Sequence, residues 1–210
     1  MNCWLGFIGP VRCGHTLLGA MLDAHPHVIM ANEAKGILGE HPYKYKADIL
    51  NKIQDTKYHF SIGHPEFAGR DFYIDWQWQN NTALEDAIVV GNKRSGPETR
   101  FWMENFPRNI DKFSKKLELP IKFIHLIRDV EDSVKSMCIM NGKTSLENYH
   151  TYKQGTENAE HIKERYSCYS LYMEDFINDP INSLVYVCKF IGIYPYKDWL
   201  RDCESIVVKK

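Results

Sequence analysis

The turn that follows the first apolar run of the chain carries residue types that suit a phosphate group. Positions 7 to 28 read FIGPVRCGHTLLGAMLDAHPHV, and a helical pattern begins directly after the turn. Arg12 can pair with a phosphate oxygen, Gly14 lets the backbone approach closely, and Thr16 can donate a hydroxyl. Because a helix N-terminus presents unpaired N–H groups to an anion, the turn predicts a phosphate site. The alternative interpretation is an ordinary strand-to-helix turn.

Three more charged residues follow predicted strands in the same way. Glu33 comes after the second strand candidate, Lys93 after the third, and Arg128 after IKFIHLI, the strongest strand pattern in the sequence. Ligands of open α/β sheets gather beyond the carboxyl ends of the strands. We therefore expect these side chains to share one edge of a sheet with Arg12 and to form a ligand cleft there. The alternative for Glu33 is a helix-start carboxylate that is favoured by the helix dipole.

Strand and helix patterns alternate along the chain, and they supply the elements that must position these residues. Their alternation favours a parallel sheet covered by helices on both faces, which is an α/β fold of three layers. Residues 1–210 are predicted to form a single domain, with a lid or insertion at about 39–85 whose segment 63–81 is rich in aromatic residues. The strands are predicted at 4–9, 28–30, 87–90, 121–127 and 170–173, and the helices at 16–24, 46–53, 98–106, 110–117, 131–140, 158–166 and 181–191.

The composition argues against several classes of partner. The 210 residues carry a formal net charge of −1, so no overall charge favours nucleic acid or an anionic membrane as a partner. No apolar run approaches the ~20 residues that a membrane span needs. The six cysteines are scattered without zinc-ligand spacing, which predicts reduced thiols and a cytoplasmic location. The histidines form no metal motif either, so no metal is expected, and nothing in the sequence indicates an oligomeric state.

The segment GPVRCGHTLLGAMLDAHPHV resembles the 5′-phosphosulfate loop of sulfotransferases, whose usual form is G-x-x-[RK]-S-G-T-T-L-L followed by L-D-x-H-P-x-V. It is most similar to that of tyrosylprotein sulfotransferases and related bacterial proteins, which have a P-loop-like fold. These enzymes use 3′-phosphoadenosine 5′-phosphosulfate (PAPS) as the sulfuryl donor and release PAP. The resemblance implies that Arg12, Gly14 and Thr16 hold the 5′ end of the donor. Cys13 and His15 stand where the family has serine and threonine, and we expect them to line the same loop, Cys13 as a stand-in for serine rather than as a nucleophile. Either the His15 imidazole replaces one of the two lost hydroxyl donors, or the affinity for the donor is weakened.

Two later segments resemble the family in the same order along the chain. IRDVEDSVKSM resembles the 3′-phosphate motif R-D-x-x-x-S-x-x-S, which implies that Arg128 and Ser136 bind the 3′ phosphate. YMEDFINDPINSLVYVCKFIGI resembles the closing segment, where an aromatic residue lies near the adenine. Met173 takes the position of the usual tyrosine and Tyr172 precedes it. Tyr172 is the predicted contact, although the sequence leaves open which of the two faces the nucleotide.

The resemblance also implies a catalytic set of Glu33, Lys93 and Arg12. Glu33 matches the family's general base, which takes the proton of the acceptor, and Lys93 matches a lysine that stabilises charge on the bridging oxygen. His15, His25 and His27 remain rival bases on the sequence alone. The implied reaction is in-line sulfuryl transfer to a hydroxyl or amine of a small-molecule or peptide acceptor. The alternatives are an ATP-dependent small-molecule kinase, although GK[ST] is absent, and a non-catalytic module that binds a 3′,5′-bisphosphate nucleotide.

Overall fold

The structure is a computed structural model that describes residues 1–34, 37, 45–56, 60 and 82–208. Its centre is a parallel sheet of β1 (Cys3–Ile8), β2 (Val28–Asn32), β3 (Val89–Lys93), β4 (Ile121–Ile127) and β5 (Cys168–Tyr172). The strand order is β2-β3-β1-β4-β5, and every adjacent pair is parallel. The helices of the described residues are α1 (His15–Asp23), α2 (Lys46–Thr56), α3 (Ser95–Glu104), α4 (Arg108–Leu117), α5 (Val130–Asn141), α6 (Ser145–Lys163), α7 (Met173–Asn178), α8 (Pro180–Ile191) and α9 (Lys197–Val208).

Helices cover both faces of the sheet and bury a hydrophobic layer on each. Successive residues of β1 point to opposite faces, so Leu5 and Phe7 pack with α1, α8 and α9. Trp4 and Ile8 pack with α2, α3, α4 and α6 on the other face. A strand that is buried on both faces must be apolar throughout, which explains why β1 reads as one continuous apolar run. The predicted three-layer α/β fold is confirmed.

Local signals account for where several helices begin and end. Asp129 caps the start of α5 by accepting from the backbone N–H of Asp132. Asp179 caps α8, which has Pro180 in its first turn, where the missing proline N–H costs nothing. Gly192 ends α8 in the left-handed conformation that glycine adopts without strain.

Several details differ from the elements predicted from the sequence. The third strand spans Val89 to Lys93 rather than 87–90, because its pairing with β1 continues to Asn92 and its pairing with β2 to Lys93. The sixth helix begins at Ser145 rather than at 158, after a capping box between Thr144 and Glu147. The helices α7 and α9 were not predicted at all.

Other predictions concern composition and the lid. Among the described residues, no helix has the length and apolarity needed to cross a membrane, and they contain no group of three or more potential metal ligands. All six cysteines are free thiols. The helix predicted at 46–53 is present as α2. The aromatic segment 63–81 lies outside the described residues, so its lid role stays a prediction.

Candidate active site

The turn between β1 and α1 contains several residues in left-handed backbone conformations. Gly9, Arg12 and Gly14 have φ angles of 107°, 71° and 91°, and a left-handed residue next to a right-handed one can direct successive backbone N–H groups into an anion-binding concavity. The N–H of Gly9 is already bonded to Oγ1 of Thr99 at 3.0 Å. Gly14 is the N-cap of α1 and makes no side-chain capping bond. The first turn of α1 contains no acidic residue, so nothing there repels an anion from the helix N-terminus.

Gly14 is required by its surroundings as well as by its backbone conformation. A Cβ at this position would lie 2.5 Å from Sδ of Met173 and 2.9 Å from its Cε. Met173 is buried and belongs to the core cluster on the α1 face. The residue that faces the turn is therefore Met173, whose thioether packs against Gly14.

Arg12 and Arg128 meet at this turn, together with Ser136. The Arg12 Nε donates to Oγ of Ser136 over 2.9 Å. Arg128 donates from a terminal nitrogen to the backbone carbonyl of Arg12 over 3.3 Å and lies 3.6 Å from a carboxylate oxygen of Asp132. Ser136 lies 124 positions after Arg12 in the sequence, and Arg128 lies 116 positions after it. The fold thus brings two guanidinium groups and a hydroxyl into one cluster.

The segment that carries Arg128 is braced from two sides. Glu174 accepts a hydrogen bond from the backbone N–H of Asp129 at 2.9 Å. Tyr152 of α6 donates its hydroxyl to the backbone carbonyl of Arg128 at 2.8 Å. The same helix approaches the turn through Gly155, where a Cβ would lie 3.0 Å from Cα of Pro10. α6 therefore supports both cationic segments, and no residue of it was predicted to do so.

Glu33 and Lys93 form an ion pair at the ends of the neighbouring strands β2 and β3. Nζ of Lys93 lies 2.6 Å from Oε1 of Glu33, and Nε of Arg94 lies 3.9 Å from the other carboxylate oxygen. The exposed fraction of the Lys93 side chain is 7% and that of Glu33 is 25%. Burial lowers the pKa of Lys93, while Glu33 acts in the opposite direction and Arg12 lowers this pKa further. The carboxylate of this pair can accept a proton, and the adjacent buried ammonium can stabilise negative charge.

Cys13 and His15 turn their side chains into the protein. Burial raises the pKa of Cys13 to about 11, and its Sγ lies 3.7 Å from Oγ of Ser133. The thiol is therefore protonated at neutral pH, which suits a small packing residue better than a nucleophile. The His15 ring contacts the backbone carbonyl of Ile8 at 3.4 Å, and burial lowers its pKa to about 3. His15 is thus neutral, with one nitrogen engaged in the core.

Thr16 and Tyr172 are the two remaining predicted site residues, and they lie in different elements. Thr16 is half-buried in the first turn of α1, two residues after Gly14 in the chain. Tyr172 is 52% exposed at the end of the edge strand β5. It lines a cavity of about 290 Å³ together with Tyr169 and Tyr186. Its role toward a nucleotide stays a prediction.

Comparisons with known proteins agree with this fold. The model of a family described as "Sulfotransferase family" matches residues 7–198. The sulfotransferase domain of the Synechococcus PCC 7002 olefin synthase has a TM-score of 0.60 and 18% identity, covering 95% of this chain and 76% of that chain. Sulfotransferase STF1 from Mycobacterium tuberculosis H37Rv has a TM-score of 0.56 and 15% identity, covering 98% and 71%.

A third structure was solved with a nucleotide. Mouse sulfotransferase SULT7A1 complexed with PAP has a TM-score of 0.53 and 12% identity, covering 98% of this chain and 63% of that chain. No curated protein sequence matches this chain significantly. At these identities the structural matches establish the fold alone, and they agree with the P-loop-like parallel sheet predicted from the sequence.

Proposed function

The chain belongs to the sulfotransferase family, and we propose that it transfers a sulfuryl group from PAPS to a hydroxyl or amine of a small molecule or peptide. One observation carries the proposal. Arg12, from the loop that resembles the 5′-phosphosulfate motif, contacts Ser136, from the segment that resembles the 3′-phosphate motif. Arg128 contacts the same loop. A doubly phosphorylated nucleotide needs cationic groups of this kind within one cleft.

The residues of the turn fit the phosphate groups of such a donor. Arg12 and the uncapped N-terminus of α1 would bind the 5′ end, with Thr16 adding its hydroxyl. Cys13 and His15 would contribute their backbone N–H groups, because their side chains are engaged in the core. The PAP-bound neighbour of the same fold supports the choice of nucleotide.

The opposite end of the donor would be held by the second cationic segment. Arg128 supplies the charge and a fork of donors, and Ser136 supplies a hydroxyl. Both side chains sit on a braced segment, since Glu174 and Tyr152 hold its backbone. Tyr172 is the proposed contact for the adenine.

Glu33 and Lys93 would carry the chemistry. PAPS supplies the activated sulfuryl group, whose bond to the phosphate oxygen breaks as its bond to the acceptor oxygen or nitrogen forms. Glu33 would take the acceptor proton on a carboxylate oxygen, a role worth about 10²–10⁴-fold in rate. Protonation removes the charge that attracts Lys93, so its ammonium becomes available to the oxygen that gains negative charge. Arg12, whose charge already acts on Lys93, would share that role.

Calorimetry with PAP, AMP and ATP tests the donor assignment. We expect PAP to bind at least about tenfold more tightly than AMP, or ~1.4 kcal/mol, because of the Arg128 and Ser136 pocket. R128A should erase that preference without unfolding the chain, as checked by circular dichroism. The matched control is R201A, which removes an exposed arginine of α9 and should leave the preference intact.

The other outcomes point to other functions. Tightest binding of ATP together with a magnesium requirement in a transfer assay would favour the kinase. PAP binding without turnover on a panel of alcohols, phenols and amines would favour the non-catalytic module. A PAP preference that survives R128A would contradict the site assignment. The cytoplasmic location remains a prediction, which fractionation of cells that express the protein would test.

A further inference from the structure

The backbone just beyond Glu33 is held by one buried side chain from the neighbouring strand. Oδ1 of Asn92 accepts from the backbone N–H of Ala34 at 3.0 Å, and Nδ2 of Asn92 donates to the carbonyl of Ala34 at 3.1 Å. Strand pairing ends one residue before Glu33, where Asn32 faces Lys93. The amide of Asn92 therefore continues the β2–β3 contact past the end of β2. We call these two bonds the Ala34 clamp.

Glu98 of α3 reinforces the orientation of the Asn92 amide that the two bonds to Ala34 require. Nδ2 of Asn92 donates its second hydrogen to Oε1 of Glu98 over 2.6 Å, in addition to its bond to Ala34. Rotating the amide by half a turn would place Oδ1 against two acceptor oxygens, the Glu98 carboxyl and the Ala34 carbonyl. With Glu98 present, the amide thus has one favourable orientation, and this orientation is the one that makes the Ala34 clamp.

Burial disfavours a negative charge on the Glu98 carboxyl. Glu98 is fully buried, and burial raises its pKa well above the usual range, with Asn92 acting in the opposite direction. Glu33 raises this pKa further, while Arg94 and Lys93 lower it. Its Oε2 has no hydrogen-bond partner among the described residues. Within the described residues, Lys93 is ion-paired with Glu33, while Oε1 of Glu98 accepts from Asn92.

The clamp acts on a residue that needs support. Glu33 has a φ of 59°, and a left-handed conformation costs a residue with a side chain about 1–2 kcal/mol. Its backbone N–H is held by the carbonyl of Lys93 at 3.0 Å, and the residue that follows is held by the clamp. The backbone on both sides of Glu33 is therefore bonded to β3, and this sets the direction in which the Glu33 side chain projects from the backbone.

We infer that Glu98 is a positioning residue for the base: through Asn92 and the Ala34 clamp, it holds Glu33 in the conformation that meets Lys93. This inference rests on the proposed function, because the position of Glu33 matters for transfer only if Glu33 takes the proton. Neither Glu98 nor Asn92 would touch the donor or acceptor.

Amide hydrogen exchange at Ala34 tests the clamp without any ligand. E98M removes the acceptor for Asn92 at similar volume, and N92A removes the clamp directly. We expect each to speed exchange at Ala34 by about tenfold or more, while amides in the middle of β1 and β4 keep their protection. E98Q retains an acceptor oxygen for Asn92, so exchange at Ala34 should stay within about threefold of wild type.

Transfer and binding assays separate positioning from other roles. With PAPS and the acceptor panel, E98M should lower kcat by about tenfold or more with little change in KM for the acceptor, and E98Q should recover most of that loss. PAP affinity should stay within about twofold in both variants, because Arg12 and Arg128 are untouched. The control E104Q changes an exposed carboxylate of the same helix and should alter none of these measurements.

Several results would overturn the inference. Unchanged exchange at Ala34 in both E98M and N92A would show that no clamp exists, and faster exchange across β1 and β4 would mean that Glu98 only maintains the core. E98Q as impaired as E98M would mean that the ionisable group matters rather than the hydrogen bond. If E33Q transferred at the wild-type rate, Glu33 would not be the base, and Glu98 would have no base to position. Failure of PAP binding in the wild type would instead reject the proposed function, while exchange at Ala34 would still report on the clamp.

Discussion

Replacing Gly14 by alanine should destabilise the protein by more than the cost of the left-handed backbone conformation at the start of α1. A left-handed alanine costs about 1–2 kcal/mol. The new Cβ would also lie 2.5 Å from Sδ of Met173, and overpacking of this kind costs about 1–3 kcal/mol. We therefore expect G14A to lower the free energy of unfolding by about 2–5 kcal/mol. Met173 has little room to yield because it is packed in the core cluster.

Gly142 provides a matched control for the backbone cost. It ends α5 with a φ of 68°, and apart from its chain neighbours and its own helix no atom of the described residues lies within 4 Å of the position that a Cβ would take. G142A should therefore lose only the cost of the left-handed conformation, about 1–2 kcal/mol. The excess in G14A isolates the contact with Met173. A double-mutant cycle with M173V, which removes the thioether, should recover about 1–3 kcal/mol of that excess.

Urea denaturation supplies the free energies of unfolding, and calorimetry with PAP supplies the functional measurement. G14A should weaken PAP binding by about tenfold or more, since the methyl group displaces the backbone that would contact the 5′ end. G142A should bind PAP as the wild type does. Equal destabilisation by G14A and G142A, with zero coupling to M173V, would refute the packing of Met173 against the turn. Undiminished PAP binding by a destabilised G14A would refute the placement of the donor there.

Two further perturbations test the surroundings of the site. Burial lowers the pKa of His15 to about 3 and those of His25 and His125 to about 4, so the unfolded chain binds more protons and stability should fall as pH drops from 6.5 toward 4. At pH 5.5 each of these histidines should lower the free energy of unfolding by about 1.4 kcal/mol. Urea denaturation of the three His→Gln variants should therefore show a free energy of unfolding that depends less on pH than that of the wild type. An unchanged pH dependence would contradict the assignment of low pKa values to these histidines. G155A should not gain the ~1 kcal/mol that alanine usually brings to a helix and should weaken PAP binding in calorimetry, because its Cβ would lie 3.0 Å from Pro10. A stabilised G155A with unchanged affinity would contradict the approach of α6 to the turn.

The elements that carry the site were predictable because their signals are local. The strand β4 spans 121–127 as predicted, since a run of apolar residues lies between Pro120 and the polar pair Arg128–Asp129. The charged residues at strand ends share one edge because the sheet is parallel. That inference needs only the strand count and direction, which alternation with helices supplies. The contact between Arg12 and Ser136 was not predicted, because Ser136 lies within α5 rather than at a strand end.

The missed helices differ in how much signal they carry. α6 begins with Thr144 and Glu147, a T-x-x-E pattern that could have been identified. α9 buries Trp199 and Leu200 in its first turn and Cys203 in its next, which is a helical pattern visible in the sequence. α7 has only six residues, fewer than two turns, and a segment of this length gives no periodicity to detect.

The supporting residues of the site could not be predicted, because their roles depend on contacts between distant segments. Glu98 reads as an ordinary first-turn carboxylate of α3, and only its burial beside Asn92 gives it a role. Gly155 reads as an unfavourable residue within a polar helix, and only the position of Pro10 explains it. Tyr152 reaches a backbone carbonyl, an acceptor that every residue offers and that no sequence pattern distinguishes.

The helix α1 connects the two halves of the site. Its N-terminal end is formed by Gly14 of the turn. One turn further, Gly19 lies so close to Lys93 that a Cβ there would meet Cγ of the lysine at 3.0 Å. The aliphatic part of the Lys93 side chain thus lies against the helix whose N-terminus is the proposed anion site. Because a helix is rigid over this length, the spacing between the backbone that would bind the donor and the ammonium that would stabilise the leaving oxygen is set by one element. The small residue at position 19 is therefore as much a requirement of the proposed chemistry as the glycine at position 14, although only the latter lies in the turn.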